Sequence, residues 1–486
     1  MFLSLFKILC QLEEILKRYS KLFLFGCFYL IAIASYAQFQ LDIESEAFFN
    51  GDDALPFWLH SNNYGRVGRQ TNANAVIAPS YDLYLNEKSK FTFKSAFTYR
   101  DKFNEVGEAS DIFIDEFYAK FASQYIDVTI GVKHGENEYY GLASSNQNVL
   151  WSGNARSLPG LEIKTAKPLY LFFNKRLGFE ALFSEYILND DRATLDTHVH
   201  HKYLALSYKI NTTSTVKLGV RHVAQYGGNP SDPRFQNQSI GFSEYIRMFF
   251  GRAGSENSLA TDQANAIGNH IGSYELVYNK QIGEGEIELF YNSIFEDGSG
   301  SAMRNFPDGR YGVFYDSGES DKVINSFVYE FVYTKNQSQT APHLWDNYFN
   351  SGVYSSGWTY QQNVIGIPFI NSTYLSDYGG DFITVGNNRL IAHHFGIQGK
   401  FYLPFELKLS YRRNYGFNQN IAYLRYRHYD SDDERSLFKV SPEVVSTYLK
   451  VGVLESFINL DLSCAVDFSK DSSNFAAGLS VSKSFF

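Results

Sequence analysis

The sequence predicts an all-β chain, an antiparallel β-barrel of a bacterial outer membrane with long plug-like loops and a small helical element. Three observations predict it. The N-terminus carries the parts of a secretory leader. The remainder holds most of 43 Phe and 36 Tyr, yet has no apolar run near the roughly 20 residues of a membrane helix. Period-2 alternation also recurs from end to end, in runs as long as a tilted strand needs to cross a bilayer.

The leader comes first. Lys17, Arg18 and Lys21 form a basic patch, Leu22 to Ala34 is apolar, and Ser35-Tyr36-Ala37 is a small-x-small cleavage site before Gln38. Residues 1–16 add a second apolar stretch, which fits a true start nearer Lys17 or Lys21. The predicted division is a signal peptide over 1–37 and one transmembrane barrel domain over 38–486. Residues 1–37 carry four basic and two acidic residues, so the mature chain keeps 39 basic and 50 acidic, a net charge of −11. That excess of acid argues against nucleic acid as a partner. Cys464 is the only cysteine beyond the leader, which excludes an intrachain disulfide and a cysteine-based metal site.

The strands follow. Phe91, Phe93, Phe97 and Tyr99 alternate with Thr92, Lys94, Ala96, Thr98 and Arg100. Phe405, Leu407, Leu409 and Tyr411 alternate with Glu406, Lys408, Ser410 and Arg412. The clearest run sets Ile458, Leu460, Leu462, Cys464, Val466 and Phe468 against Asn459, Asp461, Ser463, Ala465 and Asp467. Lipid cannot satisfy a carboxylate, so the apolar set should face outward and Asp461 and Asp467 the lumen. The chain ends on Phe485-Phe486, a terminal aromatic familiar from outer-membrane barrels. Phe475, Ala477, Leu479 and Val481 share parity with Phe485, so Phe486 overhangs or a bulge shifts the register.

At roughly 22 to 28 residues per strand with its turn, the mature length allows roughly 16 to 20 strands. A barrel that wide has a lumen to fill. Residues 225–269, 295–321 and 335–388 are rich in Gly, Asn, Ser and Asp and read as inserted loops. The first and part of the third are expected to occlude the lumen. Within the first, Phe242, Tyr245, Ile246, Phe249 and Phe250 recur at helical spacing and predict a short amphipathic helix packed on protein.

No phosphate loop, nucleophile elbow or HExxH-type motif occurs, and neither a catalytic residue nor a cofactor is expected. Asp111, Asp115 and Glu116 lie close together, as do Glu180 and Glu185. Paired carboxylates could serve glycoside hydrolysis, and the plainer reading is lumen-facing polar residues. His198, His200 and His201 lack an obvious further ligand, and no metal site is expected.

Other segments are less ordinary. They are Leu55-Pro-Phe-Trp-Leu-His-Ser-Asn-Asn-Tyr-Gly-Arg-Val67, Val149-Leu-Trp-Ser-Gly-Asn-Ala-Arg-Ser-Leu-Pro-Gly160, Tyr245-Ile-Arg-Met-Phe-Phe-Gly251 and Gly268-Asn-His-Ile-Gly-Ser-Tyr274. Phe295-Glu-Asp-Gly-Ser-Gly300, Arg304-Asn-Phe-Pro-Asp-Gly309, Asp346-Asn-Tyr-Phe-Asn350 and Ser356-Gly-Trp-Thr-Tyr360 follow. In this order, from about Leu55 to the C-terminus, the set resembles the Wzi-type capsule-assembly family of outer-membrane proteins. The resemblance implies an 18-stranded barrel with a small helical element. It implies a lectin that holds capsular polysaccharide on the cell surface, and not an enzyme. Its implied partners are capsular or other surface polysaccharide, outer-membrane lipid and the polysaccharide export machinery.

All four tryptophans, Trp58, Trp151, Trp345 and Trp358, fall in these segments. Aromatic faces stack on sugar rings, and amides and guanidinium groups bind hydroxyls. The candidate polysaccharide-binding residues are therefore Trp58, Arg66, Trp151, Asn154, Arg156, Trp345 and Trp358, with Asn62, Asn63, Asp346 and Asn347 nearby. The plainer reading places the tryptophans in interfacial belts or plug packing. Trp151, flanked by Gly153 and Pro159, is the strongest functional candidate. An acidic polymer would need a basic patch, for which Arg66, Arg69, Arg156, Arg304 and Arg310 are available. An outer-membrane porin or substrate-specific channel is the alternative function, and an enzyme on a barrel scaffold is a further one.

Overall fold

The computed structural model describes residues 37–486, apart from 52–53, 103–109, 146–147, 239, 257–262, 264–265, 297, 339–345, 378–379, 417–442, 471 and 486. The predicted leader therefore lies almost wholly outside the described residues, as do Trp345 and Phe486. Eighteen strands make one closed antiparallel sheet. They are β1 Ala37–Asn50, β2 Thr71–Asn86, β3 Ser89–Lys102, β4 Asp111–Ser123, β5 Ile126–Val132, β6 Pro159–Thr165, β7 Leu177–Leu188, β8 Thr197–Lys209 and β9 Ser214–Tyr226. There follow β10 Asn269–Ile282, β11 Gly285–Ser293, β12 Gly309–Asp316, β13 Ser326–Tyr333, β14 Leu390–Phe401, β15 Leu403–Asn414, β16 Glu443–Glu455, β17 Asn459–Ser469 and β18 Ser473–Phe485. A short strand, Leu169–Phe172, continues the line of β6 against β7. Each strand pairs with its neighbours in sequence, and β18 returns to β1 with Phe485 opposite Leu41. Closure leaves no open sheet edge in the bilayer.

The barrel is inverted relative to a water-soluble protein. Outward rows are apolar and open, with Ile112 at 76% and Phe117 at 62% exposure. Inward rows are polar and buried, among them Glu116, Glu275, Arg310, Glu330 and His394. Only lipid makes an exposed apolar belt stable, and only a protein or water interior satisfies those charges. In β17, Leu462 and Phe468 face outward while Asp467 accepts a hydrogen bond from Phe57 N–H inside, as the alternation predicts. Phe475 is likewise exposed on the outer face, with Phe485 on its parity. Exposed aromatics mark both rims, with Phe39, Tyr84, Tyr402 and Phe457 at one end and Phe49, Tyr99, Phe468 and Phe475 at the other. The first end carries the tight turns 87–88, 124–125, 210–213 and 283–284, so it is the periplasmic end. No helix among the described residues is long and apolar enough to cross a membrane.

The long loops differ from expectation in two respects. Residues 295–321 are not irregular throughout, because Gly309–Asp316 is a barrel strand. Its alternation was masked by inward Arg310 and by Gly312, where a Cβ would lie 2.0 Å from the Phe290 ring that covers it. Residues 225–269 do hold the expected helix, α2, at Phe242–Phe249. They do not fill the lumen. Met248 packs on Ala224, and Lys202 donates to the Phe249 carbonyl. Ala224 and Lys202 share the outward parity of exposed Leu218 and Leu204, so α2 lies against the outer wall.

Candidate functional site

The lumen is closed instead by the described residues within 51–70, 133–158 and 334–389. The first begins with Pro56 and a short helix, α1 (Phe57–His60). Asp467 of β17 takes the free N–H of Phe57 at 2.9 Å, which satisfies the helix N-terminus with a wall carboxylate. The ring of Phe57 stacks on Phe369 of the third loop at 5.7 Å. In that loop Gly357 has φ +69, and a Cβ there would stand 2.4 Å from Phe349 O, so only glycine makes this turn without strain. The next residue, Trp358, is fully buried and donates its indole N–H to Leu150 O of the second loop at 2.7 Å.

Hydrogen bonds tie this plug to the wall on all sides. Trp58 donates its indole N–H to Ser410 of β15 at 3.1 Å, and His394 of β14 donates to Leu142 O at 2.7 Å. Glu330 of β13 accepts from Ser144 N–H at 2.5 Å, Glu275 of β10 accepts from Asn148 at 2.8 Å, and Gln225 of β9 donates to Gly357 O at 3.0 Å. One apolar cluster runs from the plug into the wall through Val149, Leu150, Trp358, Ile365 and Phe369 to Leu188, Val199, Val223, Ile271 and Leu390. The lumen is therefore crossed by packed protein among the described residues.

Beneath the plug lies a cavity of about 710 Å3. Ala166, Lys167 and Pro168 of the β6–β7 turn line it, so it opens at the periplasmic end. A second cavity of about 430 Å3 lies beyond Tyr64 and His134, whose rings stack at 4.0 Å and line both. Seven Lys/Arg and eight Asp/Glu line the larger cavity, so it carries no strong field of one sign. The segment that carries Glu138 descends the lumen through Tyr139 and Tyr140, both left-handed at φ 52 and 56. Their hydroxyls hold Glu288 and Asp316, which offsets the cost of that backbone.

The sequence-predicted residues separate into two groups. Trp58, Asn154 and Trp358 are buried supports of the plug, and Asn154 donates to Val364 O at 3.0 Å. Trp151 and Arg156 line the larger cavity, and Arg66 lines the smaller. One face of Trp151 stacks on His201 at 4.9 Å, with Tyr186 tilted against it at 5.4 Å. The Arg156 guanidinium lies 3.5 Å from the centre of the Phe113 ring. Burial, reinforced by Arg100, lowers its pKa to about 10, so it remains a cation at neutral pH. Arg66 is paired with Asp115 at 2.8 Å, and Arg310 with Glu330, so neither adds to a free basic patch. Arg69 and Arg304 are exposed in separate loops.

The carboxylate and histidine groupings resolve as well. A β-bulge in β4 places Glu116 opposite Ala96 and Ile114 opposite Phe97, leaving Asp115 as the extra residue. Both carboxylates thereby turn inward. Asp115 takes Arg66 and His134, the latter at 2.9 Å, while Glu116 takes Lys94 at 2.7 Å. Glu180 faces the lumen and Glu185 the exterior, so they cannot act as a pair on one bond. His201 points inward to Trp151 and His200 outward to Glu185 at 2.7 Å, and no metal-ligating group of three or more occurs among the described residues. Sequence reasoning missed Tyr186, Tyr203, Arg221 and Glu275 of the cavity wall. Their inward parity was readable, but their height relative to the plug was not.

An apolar outer belt, a polar lumen and a seal made of the chain's own loops define a plugged outer-membrane β-barrel. A family model, capsule assembly protein Wzi, matches residues 58–373, more than half of the chain, and the chain belongs to that family. Among solved structures it is similar to Wzi of Escherichia coli, described as an outer membrane protein involved in group 1 capsule assembly and a carbohydrate-binding β-barrel. That match has 10% identity and a TM-score of 0.54, covering 94% of this chain and 86% of that one. Outer membrane protein opdK of Pseudomonas aeruginosa follows at 11% identity and TM-score 0.44, covering 92% and 98%. OmpF of Salmonella typhi, in complex with daunomycin, matches at 7% identity and TM-score 0.41, covering 92% and 97%. Comparison with the curated proteins finds no match to the chain.

Proposed function

We propose that the protein binds a surface polysaccharide non-covalently and keeps it attached to the cell, as a binding protein of capsule assembly and not as an enzyme or a diffusion channel. The observation that carries this reading is the sealed lumen. A barrel closed by a hydrogen-bonded plug offers surfaces for binding rather than a path for solutes. The cavity beneath the plug has a lining suited to a saccharide, because the aromatic side chains of Trp151, Tyr186 and Tyr203 border it among amides, carboxylates and cations. A sugar ring stacks its C–H face on such rings and spends its hydroxyls on the polar neighbours. The plug closes the outer side, so the saccharide taken there enters from the periplasmic end, where contact with the export machinery would also occur. Retention outside then rests on the extracellular face of the same plug.

The test is calorimetry of the detergent-solubilised barrel with fragments of the host's own capsular polysaccharide. Trp151→Ala and Arg156→Ala each remove one stacking or charge-assisted contact, worth about 1 to 3 kcal/mol. Affinity should fall roughly five- to hundred-fold. Unchanged affinity in both variants would remove the cavity as the binding site.

A further inference from the structure

On the outer wall, β8 and β9 change character with height. Leu204, Leu206, Leu218 and Val220 are exposed and apolar, as lipid requires. Nearer the extracellular end, the same outward rows carry His200, Lys202 and His222. Helix α2 roofs this polar ground. Lys202 lies 3.9 Å from the centre of the Phe249 ring, Tyr245 donates to Glu185 at 2.5 Å, and Met248 packs on Ala224 and Ile267.

The strand register shows how the helix is turned. Lys202 stands opposite His222, whereas Ala224 stands opposite His200, two residues nearer the extracellular end. The Phe249 ring packs on His200 at 4.9 Å and reaches over Lys202, one outward position nearer the membrane, so it marks the membrane-side flank of α2, with Met248 on the outer flank. At 3.6 residues per turn, Phe242 and Ile246 fall beside Phe249, and Phe250, the C-cap residue, follows on the side away from Met248. Phe242, Ile246 and Phe250 are 82%, 39% and 61% exposed, an apolar ridge on the flank that faces the lipid-covered belt. Arg247 and Arg252 are exposed beside it, with Arg252 over the Phe250 ring at 5.6 Å.

We propose that α2 is an interfacial helix that sinks Phe242, Ile246 and Phe250 into the outer leaflet while Arg247 and Arg252 engage lipid phosphates. A helix of this kind lies about 5–10 Å into the boundary between headgroups and acyl chains. It fixes the height of the barrel, and with it the height of the plug's extracellular face.

The test uses the whole barrel with Cys464→Ala, reconstituted into vesicles of phosphatidylcholine with or without phosphatidylglycerol. Spin labels are placed singly at Phe242→Cys, Ile246→Cys, Phe250→Cys and, on the outer flank, Glu244→Cys. Heat-modifiable migration confirms assembly of each. The three ridge labels should collide freely with oxygen and be shielded severalfold from a water-soluble nickel chelate, relative to the Glu244→Cys label. Equal nickel access at all four positions overturns the insertion. Arg247→Ala combined with Arg252→Ala should reduce ridge shielding in both kinds of vesicle, because both lipids carry phosphate, and more in those with phosphatidylglycerol, which adds net negative charge. No change in either overturns the phosphate contacts.

Discussion

Replacing Trp358 by Ala should open the barrel without dismantling it. Trp358 is fully buried where the second and third loops meet, with its indole N–H on Leu150 O and its ring edge-on to Trp151 at 5.7 Å. Truncating a buried aromatic costs about 3–5 kcal/mol, and a stranded buried carbonyl adds about 1–3 kcal/mol. At about 1.4 kcal/mol per tenfold, the displaced-plug population should rise by roughly a thousandfold or more. Trp358→Phe keeps most of the packing and loses the hydrogen bond, and should cost about 1 kcal/mol. The assay is single-barrel conductance in a planar bilayer, with heat-modifiable migration as the control for the wall. Conductance events should be rare in the native protein, slightly more frequent in Trp358→Phe and abundant in Trp358→Ala. If Trp358→Ala assembles, exposes the 334–389 loop to protease and still conducts no more than the native barrel, then this plug is not what closes the lumen.

Two further outcomes follow from the geometry and one from the sequence. Arg310→Met should leave Glu330 buried and uncompensated, at a cost of about 3–5 kcal/mol, and Arg310→Met with Glu330→Met should recover most of it; the midpoint of the heat-modifiable shift measures both. Burial, aided by Arg69 and Arg412, lowers His60 to about 3, so the native imidazole is neutral. Its contribution is complete above pH 6.5 and is lost as pH falls from there toward 3, by up to about tenfold per pH unit; the protection factor of the α1 amides, taken relative to the intrinsic exchange rate at each pH, should fall over that range in the native barrel and less in His60→Gln. Sequencing of the mature N-terminus should begin at or near Gln38, and an intact leader would contradict the predicted cleavage.

Strand character was readable wherever the two faces differ strictly. In β17, Leu460, Leu462, Cys464, Val466 and Phe468 alternate with Asp461 and Asp467, and lipid against lumen enforces that pattern. It was lost in β12, where the inward row holds Arg310, a glycine covered by a neighbouring ring and the buried Phe314, so that the two faces do not differ strictly. The helix in residues 242–249 was legible from its spacing. Its place outside the wall was not, because that depends on the height at which the outward face of β8 and β9 turns polar. The tryptophan segments stood out as non-strand, but the separation of Trp58 and Trp358 from Trp151 needs the meeting of loops some 200 and more residues apart in the chain. Periodicity cannot report which side of such a contact faces a cavity.

The proposed role is tested most directly by deleting the chromosomal copy and measuring capsular polysaccharide on washed cells and in the medium. The cell-bound fraction should fall and the shed fraction rise while total synthesis stays constant, with restoration by the native gene. A deletion strain that keeps all of its polysaccharide on the cell surface would contradict retention as the function of this barrel.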